Sequence, residues 1–258
     1  MAGDKKGPWY RFAEAVLVPP NALLTKHEWS GLEHIPRTGG AVIAVNHISH
    51  LDPLTFAFFV HRTGRAVKYL SKAELFEPRF AGRVLTGTRQ IPVYRGSENA
   101  AAALRGAMAA VRNSECLIMH PEATLTRDPG LWPMVGKTGT ARVALSTGVP
   151  VIPVAQWGVH EILPPYAKRI HVFPRKTIHT KAGPPVDLSD LRGREQTIPL
   201  LREATDRIMS AITGLLEDIR GESAPAERFD PRKEGVPEYG DPTGRHPGST
   251  SIVDGSER

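Results

Sequence analysis

The chain has one cysteine in 258 residues. A lone Cys116 excludes an intrachain disulfide framework and any cysteine-based zinc site. It lies in the apolar run CLIM and reads as a small buried hydrophobe, so a cytoplasmic location is expected. Long hydrophobic runs are also lacking: no stretch approaches the ~18 apolar residues that span a bilayer as a helix. The start, MAGDKKGPWYRF, has basic residues but lacks the apolar core and cleavage site of a signal peptide. No G-x-S-x-G elbow and no H-E-x-x-H pair occurs, which removes the usual serine-hydrolase and zinc-protease signatures. No internal repeat is visible.

What is present suits a sizeable α/β domain. The chain is 40% hydrophobic and 23% charged, with a net charge of +6. A positive balance favours anionic partners such as phosphorylated substrates or acidic lipid; no nucleic-acid-binding motif accompanies it. Strand-like runs AVIAV, VKYL, QIPVY, ECLIM and VIPVAQW alternate with helix-like ones, and IHVF with KTIHTKAG suggests a final β pair. Helices are predicted from near Pro53, over Glu98 to Arg112 with Ser97 as N-cap, over Lys137 to Ser146, and over Ile198 to Ile219. The pattern predicts a mainly parallel mixed sheet covered by helices. Residues 1–28 form an N-terminal segment in which WYRFAEAVLVPPNALL reads as two short helices joined at Pro19-Pro20. Their apolar faces suit either core packing or a membrane interface. Residues 29–220 hold the main domain, and the Pro/Gly-rich stretch 221–258 reads as a disordered tail.

The stretch NHISHLD, Asn46 to Asp52, carries the densest chemistry and admits three readings. Two histidines and an aspartate resemble metal ligands, although the spacing is HxxHxD and the other histidines are scattered. Asp52-Pro53 also reads as a plain helix start, with Asp as N-cap and Pro at the first helical position. The third reading is acid–base chemistry by His47 and Asp52. On one helix, residues five apart would sit about 140° from each other. With His47 in the loop after a strand, Asp52 could instead accept from one ring nitrogen and leave the other as a base. Without a protein nucleophile, such a pair suggests direct activation of a substrate hydroxyl.

Downstream stretches supply a resemblance. NHISHLD resembles the NHx4D block of the PlsC-type glycerolipid acyltransferases, the 1-acylglycerol-3-phosphate O-acyltransferase family. RQIPVYR resembles that family's second block, GxIPVxR; HPEATLT its third, FPEGTRS; and VIPVAQWG its fourth. The four blocks stand in the family's order. The resemblance implies transfer of a fatty acyl group from acyl-CoA or acyl-carrier protein to the 2-hydroxyl of lysophosphatidic acid, in phospholipid biosynthesis and with no cofactor. It implies His47 as base, Asp52 as its partner, and an acceptor site drawn from Lys72, Arg95, Glu122 and Thr124; Arg127, two residues past the replaced arginine, and Lys137 are weaker candidates, and His50 reads as a bystander. It further implies peripheral binding to an anionic membrane surface at the cytoplasmic face. The third block departs from the family: His120 replaces the aromatic, Ala123 the Gly and Leu125 the Arg. Those changes leave open a different lysophospholipid or glycolipid acceptor, or a lipid-binding relative without turnover.

Overall fold

The computed structural model describes residues 6–94 and 97–237, except for the side chains of 97–100. The chain opens with helix α1 (Pro8–Leu24) and strand β1 (Thr25–Ser30). Strand β2 (Ala41–Val45), helix α2 (Asp52–His61), strand β3 (Val67–Lys72), helix α3 (Arg79–Gly87) and strand β4 (Ile91–Val93) follow. The second half runs α4 (Ser97–Arg112), β5 (Cys116–Met119), α5 (Gly139–Thr147), β6 (Val151–Trp157), the short α6 (Val159–Ile162), β7 (Lys176–Ala182) and α7 (Ile198–Arg220).

The strands form one sheet in the order β1-β7-β6-β2-β5-β3-β4. All neighbours are parallel except β6 and β7. The expected mixed, mainly parallel sheet is therefore what forms. β2 lies at its centre and all five of its residues are buried, which explains why AVIAV is continuously apolar rather than alternating. Successive side chains point to opposite faces. Val42 and Ala44 enter a layer with α4, α5 and α7, while Ile43 and Val45 enter a layer with Phe56, Phe59 and Val60 of α2. α7 begins where Thr197 accepts the Leu200 amide and ends at Gly221, whose φ of 66° suits the left-handed cap. Leu201, Ile208 and Ile212 recur on its buried face.

Four local expectations are corrected. α1 is a single helix through Pro19 and Pro20. Those prolines free carbonyls one turn earlier, at Ala15 and Val16, and this stretch faces outward, where solvent can satisfy them. The final β pair does not form. Residues 170–173 are not a strand, and Ile170 and Phe173 are 54% and 73% exposed. KTIHTKA instead pairs with β1, whose sequence TKHEWS alternates in burial but is too polar to register as a strand. Asp52 is the first residue of α2 rather than its N-cap, and its carboxylate turns back into the preceding loop. Ser97 lies in α4 itself, its side chain outside the described residues.

α1 packs against α2 and α3, and Tyr10 is buried, with its hydroxyl accepting the Val67 amide. Of the tail, residues 221–237 lie beside α7. Val135 N donates to Phe229 O at 3.0 Å, and Arg228 donates to Ser210 Oγ at 2.6 Å. Residues 238–258 are outside the described residues.

Candidate active site

Three central parallel strands, β6, β2 and β5, end side by side. The chain runs outward from β2 to β3 and β4, returns to β5, then crosses to β6 on the other side of β2. In open α/β sheets, a crevice at the carboxyl ends beside such a switch is where ligands bind. The loop Asn46 to Leu51 leaves β2 there.

Asn46 is buried and stitches β2 to β6: its Nδ2 donates to Gln156 O at 3.0 Å and its Oδ1 accepts the Gln156 amide at 2.8 Å. The His47 backbone is held on the other flank. Its amide donates to Glu122 Oε1 at 3.2 Å, and its carbonyl accepts the Thr126 amide at 2.8 Å. The segment after β5 thus fixes where the His47 side chain begins. Glu122 also accepts the Met134 amide, on Oε2 at 3.0 Å.

The His47 ring turns toward α2. Its Nδ1 lies 2.9 Å from Asp52 Oδ2, which also accepts the amides of Ile48 at 2.6 Å and Ser49 at 2.8 Å. Gln156 Nε2 donates to the other oxygen, Oδ1, at 3.1 Å. Four donors around one carboxylate hold it ionised and aimed. With Asp52 accepting at Nδ1, His47 carries its proton there and presents a lone pair at Nε2. The His47 side chain keeps 16% of its exposure while Asp52 keeps 1%. Solvent or a substrate therefore reaches the imidazole but not the carboxylate.

Electrostatics fits that protonation pattern. Burial first, then the charges of His50 and Lys72, lower the His47 pKa to about 3. Burial raises Asp52 to about 6, against the hydrogen bonds from Ser49, Ile48 and Gln156. At neutral pH the pair is a neutral imidazole beside a carboxylate. Glu122 is raised to about 8 by burial, opposed by the Met134 and His47 amides.

His120 lies against the face of the His47 ring. Its ring stacks on His47 with centroids 4.1 Å apart and planes 19° from parallel. Its Nδ1 lies 3.1 Å from Val45 O and 3.2 Å from Asn46 O, so it donates there, and its Nε2 is buried without a hydrogen-bond partner. Burial lowers its pKa to about 3. In sequence His120 stands out only as a departure from an aromatic position; in space it does what an aromatic would do, stacking flat on His47.

The remaining expected residues are distributed as follows. Lys72 is exposed at the end of β3, close enough for its charge to act on His47. Thr124 is half-buried in the turn after β5. Arg127 is buried, its guanidinium 4.9 Å from the centroid of the Tyr166 ring, which meets His50 edge-on at 6.1 Å. Leu125, where the family pattern has Arg, is 2% exposed and belongs to the core. Lys137 N donates to Pro121 O at 2.8 Å. Arg95 lies outside the described residues. His50 is exposed and does not join the His47–Asp52 bond. Among the described residues, no group of three or more His, Cys, Asp or Glu side chains could hold a metal ion.

Sequence reading missed Gln156, Ser49 and Tyr166. Gln156 carries a usable signal: it is an amide in the otherwise apolar strand VIPVAQW, one residue before the strand ends. Ser49 Oγ donates to Leu163 O at 2.8 Å and ties the histidine loop to the segment after α6. Tyr166 sits in that segment, where no pattern marks it.

Comparison with known proteins gives matches in both sequence and fold. The model of the acyltransferase family matches residues 26–157. A 1-acyl-sn-glycerol-3-phosphate acyltransferase of Borreliella burgdorferi is 28% identical over 74% of this chain and 72% of its own length. A chloroplastic 1-acyl-sn-glycerol-3-phosphate acyltransferase of Brassica napus is 29% identical over 54% of this chain, and that match spans 39% of the plant protein. The crystal structure of PlsC, the lysophosphatidic acid acyltransferase of Thermotoga maritima, superposes with a TM-score of 0.65. It is 22% identical and covers 83% of this chain and 81% of its own, so it speaks to the fold.

Proposed function

The chain belongs to the acyltransferase family, and from that premise we propose that it moves a fatty acyl group from a thioester donor to the 2-hydroxyl of lysophosphatidic acid, giving phosphatidic acid. The single observation that carries the reading is the His47–Asp52 pair: an accessible imidazole held by a buried carboxylate at 2.9 Å. The names of the bacterial and plant relatives support the acceptor. Acyl-CoA and acyl-carrier protein both remain donors under this reading.

In the reaction, His47 Nε2 takes the proton of the acceptor hydroxyl as that oxygen attacks the thioester carbonyl. Asp52 holds the ring through Nδ1 and stabilises the imidazolium that forms. The tetrahedral intermediate collapses, the C–S bond breaks, and the departing thiolate takes up the proton held at His47 Nε2, which restores the neutral base. General-base assistance of this kind contributes about 10²- to 10⁴-fold. Because a thiol is acidic, with a pKa near ~8.5, its departure needs no strong acid. Glu122 acts as a positioning residue, since both its oxygens accept backbone amides. Arg95, Lys72, Arg127 and Thr124 are assigned to the acceptor phosphate. A guanidinium fork suits phosphate oxygens best.

Both lipids reside in a bilayer, and no described helix is long and apolar enough to cross one. We assign the outward face of α1 to the membrane surface. Trp9, Phe12 and Val16 are exposed there, Phe12 meets the exposed Phe80 of α3 edge-on at 6.1 Å, and Arg79 and Arg83 lie beside them. Under this reading the protein is a peripheral enzyme at the cytoplasmic face, with residues 1–28 proposed as the contact segment, 29–220 as the catalytic domain and 221–258 as a tail.

The test is direct. The purified full-length chain is incubated with lysophosphatidic acid and, separately, acyl-CoA or acyl-carrier protein, with and without chelator. Phosphatidic acid with matched thiol release is expected from at least one donor, unchanged by chelation. Thiol release only with a different lysolipid would move the acceptor assignment; loss on chelation would revive a metal role.

A further inference from the structure

Segment 163–175 leaves the site and ends at the far end of α1. Ser49 holds its start through Leu163 O, and Tyr166 lies against His50 and Arg127. At its other end Arg175 donates to Ala22 O at 3.1 Å and to Thr25 O at 2.6 Å, fastening it to the end of α1. Between these moorings Val172 packs on Val159, Ile162 and Ile178 and the His171 amide donates to Ile162 O at 2.7 Å, while the side chains around them face outward. Residues 168–171 and 173–175 are all exposed, and Phe173 is the most exposed large hydrophobic side chain described. Leu23, 70% exposed, lies beside the lower mooring.

The charge of this segment is one-sided. From Ile162 to Val186 there is no Asp or Glu. Lys176 and Lys181 pair with Glu161 and Asp218, and Arg175 bonds the carbonyls of Ala22 and Thr25, which leaves Lys168 and Arg169 as the exposed cations beside Ile170. An exposed phenylalanine and isoleucine flanked only by cations fit an anionic leaflet: rings and aliphatics enter the acyl boundary while cations meet the phosphates. A protein partner offering mixed charge would match Lys168 and Arg169 less well than a continuous anionic surface.

We propose that residues 168–175 form a second membrane contact, separate from the α1 face, in which Ile170 and Phe173 insert into an anionic leaflet and Lys168 and Arg169 bind lipid phosphates. It rests on the membrane part of the reading above and extends it to a segment that sequence analysis assigned to a strand. Because Tyr166 of the same segment touches His50, the contact brings the His47 crevice against the lipid surface.

The experiment uses the full chain and sedimentation with vesicles of phosphatidylcholine alone or with roughly 30% phosphatidylglycerol. Ile170→Ser with Phe173→Ser is expected to lower partition into the anionic vesicles by roughly ten-fold or more, since two largely exposed apolar groups lose their insertion. Lys168→Glu with Arg169→Glu is expected to reduce the preference for anionic over neutral vesicles, the α1 face with Arg79 and Arg83 keeping the remainder. Because all four side chains are exposed, thermal unfolding should be unchanged in both variants. Acyl transfer to lysolipid embedded in vesicles should fall with partition, while transfer to a short-chain, monomeric lysolipid should stay at the wild-type rate. Vesicle binding by the double serine variant equal to wild type would overturn the proposal and leave acyl transfer untouched. A change in oligomeric mass without a change in vesicle binding would also overturn it, assigning the segment to a second copy of the chain. Segment-dependent vesicle binding without any acyl transfer would instead refute the proposed function.

Discussion

Replacing His120 by phenylalanine should make the protein more resistant to acid. His120 lies flat on His47 at 4.1 Å, and its Nε2 is buried without a partner. Phenylalanine keeps the stack and removes that atom, while losing the Nδ1 bond to Val45 and Asn46. Each of these changes is worth about 1–3 kcal/mol with opposite sign, so near pH 7.5 the variant should differ little from wild type. The pH dependence is where the two part. Burial lowers the folded pKa from 6.5 to about 3. As pH falls through 6.5, the unfolded imidazole takes a proton and the folded one does not. Stability is therefore fully present above 6.5 and is lost progressively down to about 3. At pH 5 the accumulated loss from this one group is about 2 kcal/mol, at about 1.4 kcal/mol per pH unit. Contributions from His47, Asp52 and Glu122 are common to both proteins and largely cancel. Urea unfolding at pH 7.5 and pH 5 should show the variant gaining about 2 kcal/mol relative to wild type. A difference that stays constant between the two pH values would refute a neutral, buried His120.

Asp52→Asn should lower kcat by about 10²-fold or more with little change in KM, because an amide can no longer stabilise the imidazolium; steady-state kinetics of thiol release reads both. The acid limb of kcat/KM should fall near pH 6, as the His47–Asp52 pair takes up its proton and the base is lost. Gln156→Leu removes the donor to Asp52 Oδ1, so it should move that limb to higher pH; a limb at or below the wild-type position would contradict the role given to Gln156. Glu122→Gln points an amide NH₂ at one of two backbone N–H groups, and should cost about 1–3 kcal/mol of stability in denaturant unfolding.

Periodicity and turn residues made most of the sheet legible, because β2, β5 and β6 are apolar runs bounded by polar loops. β1 was not legible. TKHEWS owes its place to pairing with β7, a contact 151 residues away along the register Thr25–Lys176, and its half-exposed face needs no apolar pattern. IHVF failed for the opposite reason: Ile170 and Phe173 are exposed, and only Val172 packs against the core. At the site, His47 and Asp52 were readable because both lie in one seven-residue stretch and a loop can close between them. The partners that set their chemistry come from elsewhere: Glu122 and His120 follow β5, and Gln156 ends β6. Only the order of strands in the sheet brings those three to one edge. Asp52 shows how a local rule can pick the right residue for a different reason. Its carboxylate satisfies loop amides and the His47 ring, and the helix begins at the same residue.

The central claim is that His47 is the base of an acyl transfer. Wild type and His47→Ala should be compared in one assay, with lysophosphatidic acid and an accepted acyl thioester at neutral pH, scoring phosphatidic acid by mass and confirming folding of both proteins by thermal unfolding. Phosphatidic acid from wild type and a loss of about 10²-fold or more in the folded variant are expected. A folded His47→Ala variant that forms phosphatidic acid at the wild-type rate would contradict the account.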